Sequence, residues 1–98
     1  MEIQFRNSDL DRLETDIDCD AGSGRDVVKA FRKRIQAIRA AVDERDLYAI
    51  RGNNFERLKG DRSHQYSMRL NDQWRLILEI VKATPKNIIV VIDIEDYH

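Results

Sequence analysis

The spacing of apolar positions divides the chain into two unlike halves. Over residues 25–42 they return every three or four positions, at Val28, Phe31, Ile35, Ile38 and Val42. That period predicts an amphipathic helix with one buried stripe. Ala30, Ala37, Ala40 and Ala41 favour it, and Lys29, Arg32, Lys33 and Arg39 fall on its wet side. Ahead of it, Glu2 to Phe5 reads as a short strand with Ile3 and Phe5 on one face. Asn7 or Ser8 can then cap a helix running through Leu10 and Leu13. Residues 16–24, rich in Asp, Gly and Ser, predict a loop. Residues 43–48 either extend the long helix or make a short turn, and Gly52-Asn53-Asn54 breaks the pattern.

From Phe55 the period becomes two. A short strand over 55–58 ends at Lys59-Gly60-Asp61-Arg62. His64, Tyr66, Met68 and Leu70 then alternate with Gln65, Ser67 and Arg69, and Trp74, Leu76, Leu78 and Ile80 alternate with Arg75, Ile77 and Glu79. Between these two runs, Asn71-Asp72 predicts a tight two-residue hairpin turn, because both residue types tolerate positive φ. Thr84-Pro85-Lys86-Asn87 turns the chain into a last strand, whose unbroken run Ile88 to Ile92 reads as buried on both faces. The order β-α-α-β-β-β-β predicts an α+β fold: a twisted, mainly antiparallel sheet with both N-terminal helices on one face. Trp74, Leu76 and Leu78 should meet Val28, Phe31 and Ile35 there, leaving Arg69 and Arg75 on the opposite face.

Ninety-eight residues imply a single domain, 1–98. The longest apolar run is far too short to span a membrane, and Met1 to Phe5 lacks the pattern of a signal peptide. A lone cysteine, Cys19, has no partner within the chain, so the cytoplasm is the expected compartment. Two histidines and one cysteine, far apart, give no metal-ligand spacing, and neither metal nor cofactor is expected. Net charge is −1, which by itself argues against a nucleic-acid partner. Its distribution argues otherwise. Residues 1–20 carry two basic and seven acidic groups, residues 21–42 six basic and one acidic, and residues 51–75 six basic and three acidic. The two basic segments could together form a local positive field, although a charge run is as readily a solvated helix face.

The strands could gather a chemically capable set. Arg69 and Arg75 share a side-chain parity, Lys59 and Arg62 sit in the loop before their hairpin, and Asp96, Tyr97 and His98 follow the last strand. Metal-free RNA cleavage needs a base for the 2′-hydroxyl proton, cations for the phosphorane charge and an acid for the leaving 5′-oxygen. This inventory covers all three. Each member also has a plain structural use: an outward strand arginine, a polar turn, a core tyrosine with a wet hydroxyl.

Four stretches taken together resemble a known family: Leu58-Lys59-Gly60-Asp61-Arg62, Tyr66-Ser67-Met68-Arg69-Leu70-Asn71, Trp74-Arg75-Leu76 and Glu95-Asp96-Tyr97-His98. They look like the HigB toxins, the plasmid-maintenance killer proteins of the RelE/ParE superfamily. The likeness is close over the C-terminal half; the N-terminal half matches in length and in its order of strand and helices. The resemblance implies a RelE-like fold and a bacterial endoribonuclease that enters the ribosomal A site and cuts messenger RNA. It implies as partners the ribosome, its mRNA and a helix-turn-helix HigA-like antitoxin in a toxin–antitoxin hetero-oligomer. Carried over by motif, the site residues are Lys59, Arg75, Asp96, Tyr97 and His98. Lys59 and Arg75 would stabilise phosphate, Asp96 and His98 are the acid/base candidates, and Tyr97 would position or stack on a nucleotide. Lys29, Arg32, Lys33, Arg57, Arg62 and Arg69 are the expected RNA- and ribosome-binding cations. Where several relatives place a histidine three residues before the lysine, this chain has Glu56, which can act as a base but cannot donate a positive charge. Two other readings stay open: a ParE-like inhibitor of DNA gyrase, and an inactive toxin kept as a partner of its antitoxin.

Overall fold

The computed structural model describes residues 1–6, 8–15, 25–49, 52 and 54–96. The expected loop over 16–24 with Cys19, the alternative cap Asn7, and Tyr97 and His98 lie outside these residues. The described elements are β1 (Glu2–Phe5), α1 (Ser8–Thr15), α2 (Arg25–Ala40), α3 (Glu44–Ala49), β2 (Glu56–Arg57), β3 (Gln65–Arg69), β4 (Trp74–Val81) and β5 (Ile88–Asp96), with a 3-10 turn at Gly60–Arg62. One sheet holds all five strands in the order β1-β5-β4-β3-β2. Only β1 and β5 run parallel, and the other neighbours are antiparallel. The α+β class and the mainly antiparallel sheet are as the pattern predicts, while β2 is shorter than expected and α3 is an additional helix.

The stripe of α2 packs as its period requires. Val27, Val28, Phe31, Ile35 and Ile38 are buried in one core with Met68, Leu76, Leu78, Ile89 and Val91, and half-buried Trp74 packs against it. Phe5 of β1 meets Phe31 with ring centroids 6.4 Å apart. Leu10 and Leu13 add the inner face of α1, which Arg32 ties down by donating from Nε to the Leu13 carbonyl at 2.8 Å. Val42 does not join the stripe: it is 77% exposed, because α2 ends at Ala40 and Ala41 is buried instead. The Met1 amine donates to the carbonyls of Ile38, Arg39 and Ala41 at 3.1, 3.2 and 2.5 Å. A cation there answers both the orphan carbonyls and the negative end of the helix dipole. Asp43 and Asp46 then start α3 as a separate helix. Asp43 Oδ1 accepts from the Arg45 N–H at 2.9 Å, and Asp46 Oδ2 from the Val42 N–H at 2.8 Å, a reciprocal capping arrangement.

The β3–β4 hairpin pairs Gln65 with Glu79 through Arg69 with Arg75. Its turn differs from the expected one. The ladder stops at Arg69, and among the described non-glycine residues only Asn54 has a positive φ, 45°. Asn71 instead uses its side chain: Oδ1 accepts from the N–H groups of Gln73 at 2.9 Å and Trp74 at 2.7 Å. The asparagine is therefore present as a local acceptor rather than for a left-handed backbone.

Strand β5 lies between β1 and β4. Ile89 and Val91 are fully buried in the core, and Ile88 and Val90 only half-buried. The ladder with β4 pairs Val81 with Ile88 through Leu78 with Val91, then resumes with Ile77 opposite Asp93 and ends with Trp74 opposite Asp96. Ile92 is skipped. Such a β-bulge inserts one residue and reverses the parity of everything beyond it. Ile92 and Ile77 are both buried yet stand outside the main core cluster.

Candidate active site

Side chains of cross-strand partners share a face. One row across the sheet is therefore Glu56, Ser67, Ile77 and Asp93, and the next is Arg69, Arg75 and Glu95. The core residues Met68, Leu76 and Leu78 occupy the other parity, so both rows face away from the helices. Like charges directly opposite each other, as Arg69 and Arg75 are, disfavour pairing. Each turns to its own carboxylate: Arg69 to Asp72, and Arg75 to Glu95, with Nη2 to Oε1 at 3.7 Å.

A cleft of about 380 Å³ opens on this face, lined by Phe55, Glu56, Ser67, Arg69 and Arg75 among others. Ser67, 3% exposed, lies at its floor, while Glu56 is exposed. One wall is braced by stacking: Phe55 lies parallel to Tyr66 at 5.2 Å and takes the edge of Tyr48 at 4.8 Å. From the helical layer Arg34 reaches round to the same end, donating to the carbonyls of Arg69 at 3.0 Å and Gly52 at 3.3 Å.

Lys59 follows β2 in an extended conformation and is exposed. Gly60, at φ +67°, opens the 3-10 turn behind it. A Cβ there would meet nothing within 4 Å, so the glycine is required by its backbone conformation and not by crowding. The turn closes with the Arg62 N–H donating to the Lys59 carbonyl at 3.4 Å and the Ser63 N–H to the Gly60 carbonyl at 3.1 Å. The Arg62 guanidinium then forks onto Glu95, Nη1 to Oε1 at 2.9 Å and Nη2 to Oε2 at 2.5 Å, while its Nε donates to Gln65 Oε1 at 2.9 Å. Gln65 passes the network to Glu79 at 3.3 Å, and Glu79 pairs with Arg6 at 3.4 Å. The Arg62 fork holds the Glu95 carboxyl below the usual carboxylate range, against the opposing effect of partial burial and with help from Arg75. Glu95 in turn raises Arg62 above its ordinary value.

The predicted site residues are therefore only partly brought together. Glu56, Arg69 and Arg75 share the cleft, and the Lys59 turn is tied to the same face through Arg62 and Glu95. Asp96 is not brought to them: its register partner is Trp74, which puts it on the opposite parity from Arg75, and its Oδ2 accepts from Gln73 Nε2 at 3.3 Å. Tyr97 and His98 lie outside the described residues. Arg57 donates to the Ser63 carbonyl and Arg32 to that of Leu13, so both help to hold the fold. Lys29 and Lys33 are exposed on α2, in the layer across the sheet from Arg75. Among the described residues, Lys29 and Lys33 therefore lie apart from the cleft, and Arg34 is the cation of the long helix that comes to the Arg69 end of it. Glu95 is the residue that pattern reading missed. The signal that could have found it is the pair Asp93 and Glu95, polar residues on the parity of Ile89 and Val91, which places a skipped residue before them. Among the described residues no three His, Cys, Asp or Glu side chains are grouped to hold a metal ion, and no helix is long and apolar enough to cross a membrane.

The whole chain superposes on a YoeB/ParE toxin from Agrobacterium tumefaciens with a TM-score of 0.64 at 20% sequence identity, covering 100% of both chains. At that identity the likeness is one of fold. No curated protein matches the sequence. A family model described as the RelE-like toxin of type II toxin–antitoxin system HigB matches residues 3–98, all of the described elements but for Glu2 at the start of β1. With the strand order, the Lys59 turn and the Arg75 row all inside that match, the chain belongs to the HigB-like family of type II toxins.

Proposed function

We propose that this toxin is a ribosome-dependent endoribonuclease that cuts messenger RNA during translation. As a type II toxin it has an antitoxin for a partner; we read that antitoxin as HigA-like, with a helix-turn-helix, and the ribosome as the second partner. The observation that carries the reading is the shared cleft of Glu56, Arg69 and Arg75, with the Lys59 turn pinned to the same face.

In the reaction, a 2′-oxygen bonds to the adjacent phosphorus while the bond from phosphorus to the next 5′-oxygen breaks. A 2′,3′-cyclic phosphate and a 5′-hydroxyl result. Glu56 takes the 2′-hydroxyl proton, which is a task a carboxylate can perform and a histidine is not needed for. Arg75 and Lys59 hold the growing phosphorane charge, and such fixed cations usually supply the largest part of the barrier reduction. His98 returns a proton to the 5′-oxygen and Tyr97 stacks on a base. These last two roles rest on the family motif. Asp96, beside Gln73, steadies the end of β5. Because Glu56 and Lys59 are exposed, the cleft does not enclose its substrate, and the ribosome supplies the alignment that the site lacks.

The test is 5′-end mapping of transcripts after induction of the toxin. Cuts confined to translated frames are expected. Intact transcripts accompanied by DNA damage would instead assign the chain to a gyrase-directed activity.

A further inference from the structure

We infer that Glu95 is a positioning residue of the cleavage site, clamping the turn that carries Lys59 against the strand that carries Arg75. The inference rests on the proposed joint action of Lys59 and Arg75 on one phosphate. Three observations support it. Glu95 receives both Nη groups of Arg62, the last residue of the 3-10 turn, so the turn is held by two parallel charge-assisted bonds of fixed geometry. Its Oε1 also lies 3.7 Å from Arg75 Nη2, so one carboxylate addresses both sides of the site. Finally, β5 reaches this arrangement only through the skipped Ile92, an irregularity that the rest of the ladder does without.

The Arg62–Lys59 linkage is covalent and short. The Arg62 N–H bonds back to the Lys59 carbonyl, so a displaced guanidinium lets the whole turn move. A displacement of about 1 Å at a catalytic cation can lower a rate by up to ~100-fold. Glu95 could otherwise act as a plug, occupying the place of the substrate phosphate at Arg75. That would make its removal activating, and the experiment separates the two.

The toxin carrying Glu95→Gln is assayed on messages programmed into the A site of purified ribosomes, under single-turnover and steady-state conditions. Positioning predicts a kcat about tenfold lower with KM within about twofold. In a Lys59→Ala background the same substitution costs less than about twofold, because its effect passes through the lysine. Amide exchange at Arg62 and Ser63, whose N–H groups close the turn, quickens about tenfold while that of Ile89 and Val91 stays slow, which shows that the core remains folded. Arg62→Gln breaks the same bond from the other side and reproduces the faster exchange and the loss of kcat. Faster or unchanged cleavage by Glu95→Gln, or its full cost persisting without Lys59, overturns the clamp. If wild-type toxin cuts no message at all, the nuclease reading fails instead. The exchange data then still decide whether Glu95 holds the turn.

Discussion

Arg75 stands opposite Glu95, and not opposite Ile94, because β5 leaves Ile92 out of its ladder with β4. Continued without that skip, the alternation set by Ile89 and Val91 would send residues 93 and 95 toward the core. Residues 94 and 96 would then face the cleft. The bulge exchanges the pair: Ile94 packs against the core and Glu95 joins Arg75.

The cleft residues should be separable from the fold. Arg75→Ala and Glu56→Gln are each expected to lower the rate of message cleavage on ribosomes by about 100-fold or more, with little change in melting temperature. Arg75→Lys should recover only part of the loss, since a point charge does not replace a planar fork. Full activity in Glu56→Gln would remove the glutamate from the base role.

Truncation after Asp96 removes Tyr97 and His98 but keeps every β4–β5 pair, down to Trp74 with Asp96. The shortened chain should melt within a few degrees of the full one and lose growth arrest. A truncated toxin that still stops growth would assign the proton transfer to residues within the sheet.

The Arg62–Glu95 fork makes stability depend on acid. The folded carboxyl is held below its unfolded value, so its contribution is complete above the ordinary carboxylate range and is lost as the pH falls through the lowered folded value. Urea unfolding from about pH 6 down to about pH 3 should show the wild type losing its advantage over Glu95→Gln, beginning near pH 4. A constant difference across that range would mean that the fork does not survive in solution.

The cations named as RNA-binding divide into two groups. Lys29→Ala and Lys33→Ala remove exposed charges, and each should weaken ribosome binding and flatten its salt dependence by about one unit of log–log slope. Arg32→Ala removes the bond to the Leu13 carbonyl, so its main effect should be on stability, on the order of 1 kcal/mol. Equal effects of all three on the salt slope would show that the split is wrong.

Phe31 is wholly buried between the helices and the sheet and touches Phe5. Phe31→Ala should cost about 3–5 kcal/mol in equilibrium unfolding. A loss under about 1 kcal/mol would mean that the core collapses around the gap more readily than such cores do.

Local periodicity carried most of the fold. The stripe through Val28, Phe31, Ile35 and Ile38 and the alternation of β3 and β4 each depend on side chains a few residues apart, which a sequence displays directly. Parity alone puts Arg69 and Arg75 on a shared outer face. What could not be seen is set by long-range register. The skipped Ile92 ends a run in which every residue is apolar and β-branched, and Asp93 directly after it is consistent with either parity at a strand end; Asp96 enters the site through the family motif, which gives Glu95 no role. Asparagine serves a turn either by its backbone or by its side chain, and at Asn71 only the hydrogen bonds from Gln73 and Trp74 separate the two. The end of α2 at Ala40 depends on Asp43 and Asp46 capping a new helix, a signal present in the sequence but weaker than the apolar stripe that ran on to Val42.

The neighbours of β5 bear on how the molecule comes into being. β1 pairs only with β5 among the described strands, and β5 is the last of them to be synthesised. A nascent chain therefore carries its first strand unpaired while more than eighty residues accumulate, and the contact that closes the sheet is the one of greatest sequence separation. Such late, non-local closure slows folding. It also means that Arg75 and the Lys59 turn meet the carboxylate that joins them only once translation has passed residue 95, so a partly made chain lacks the link between the two sides of the cleft.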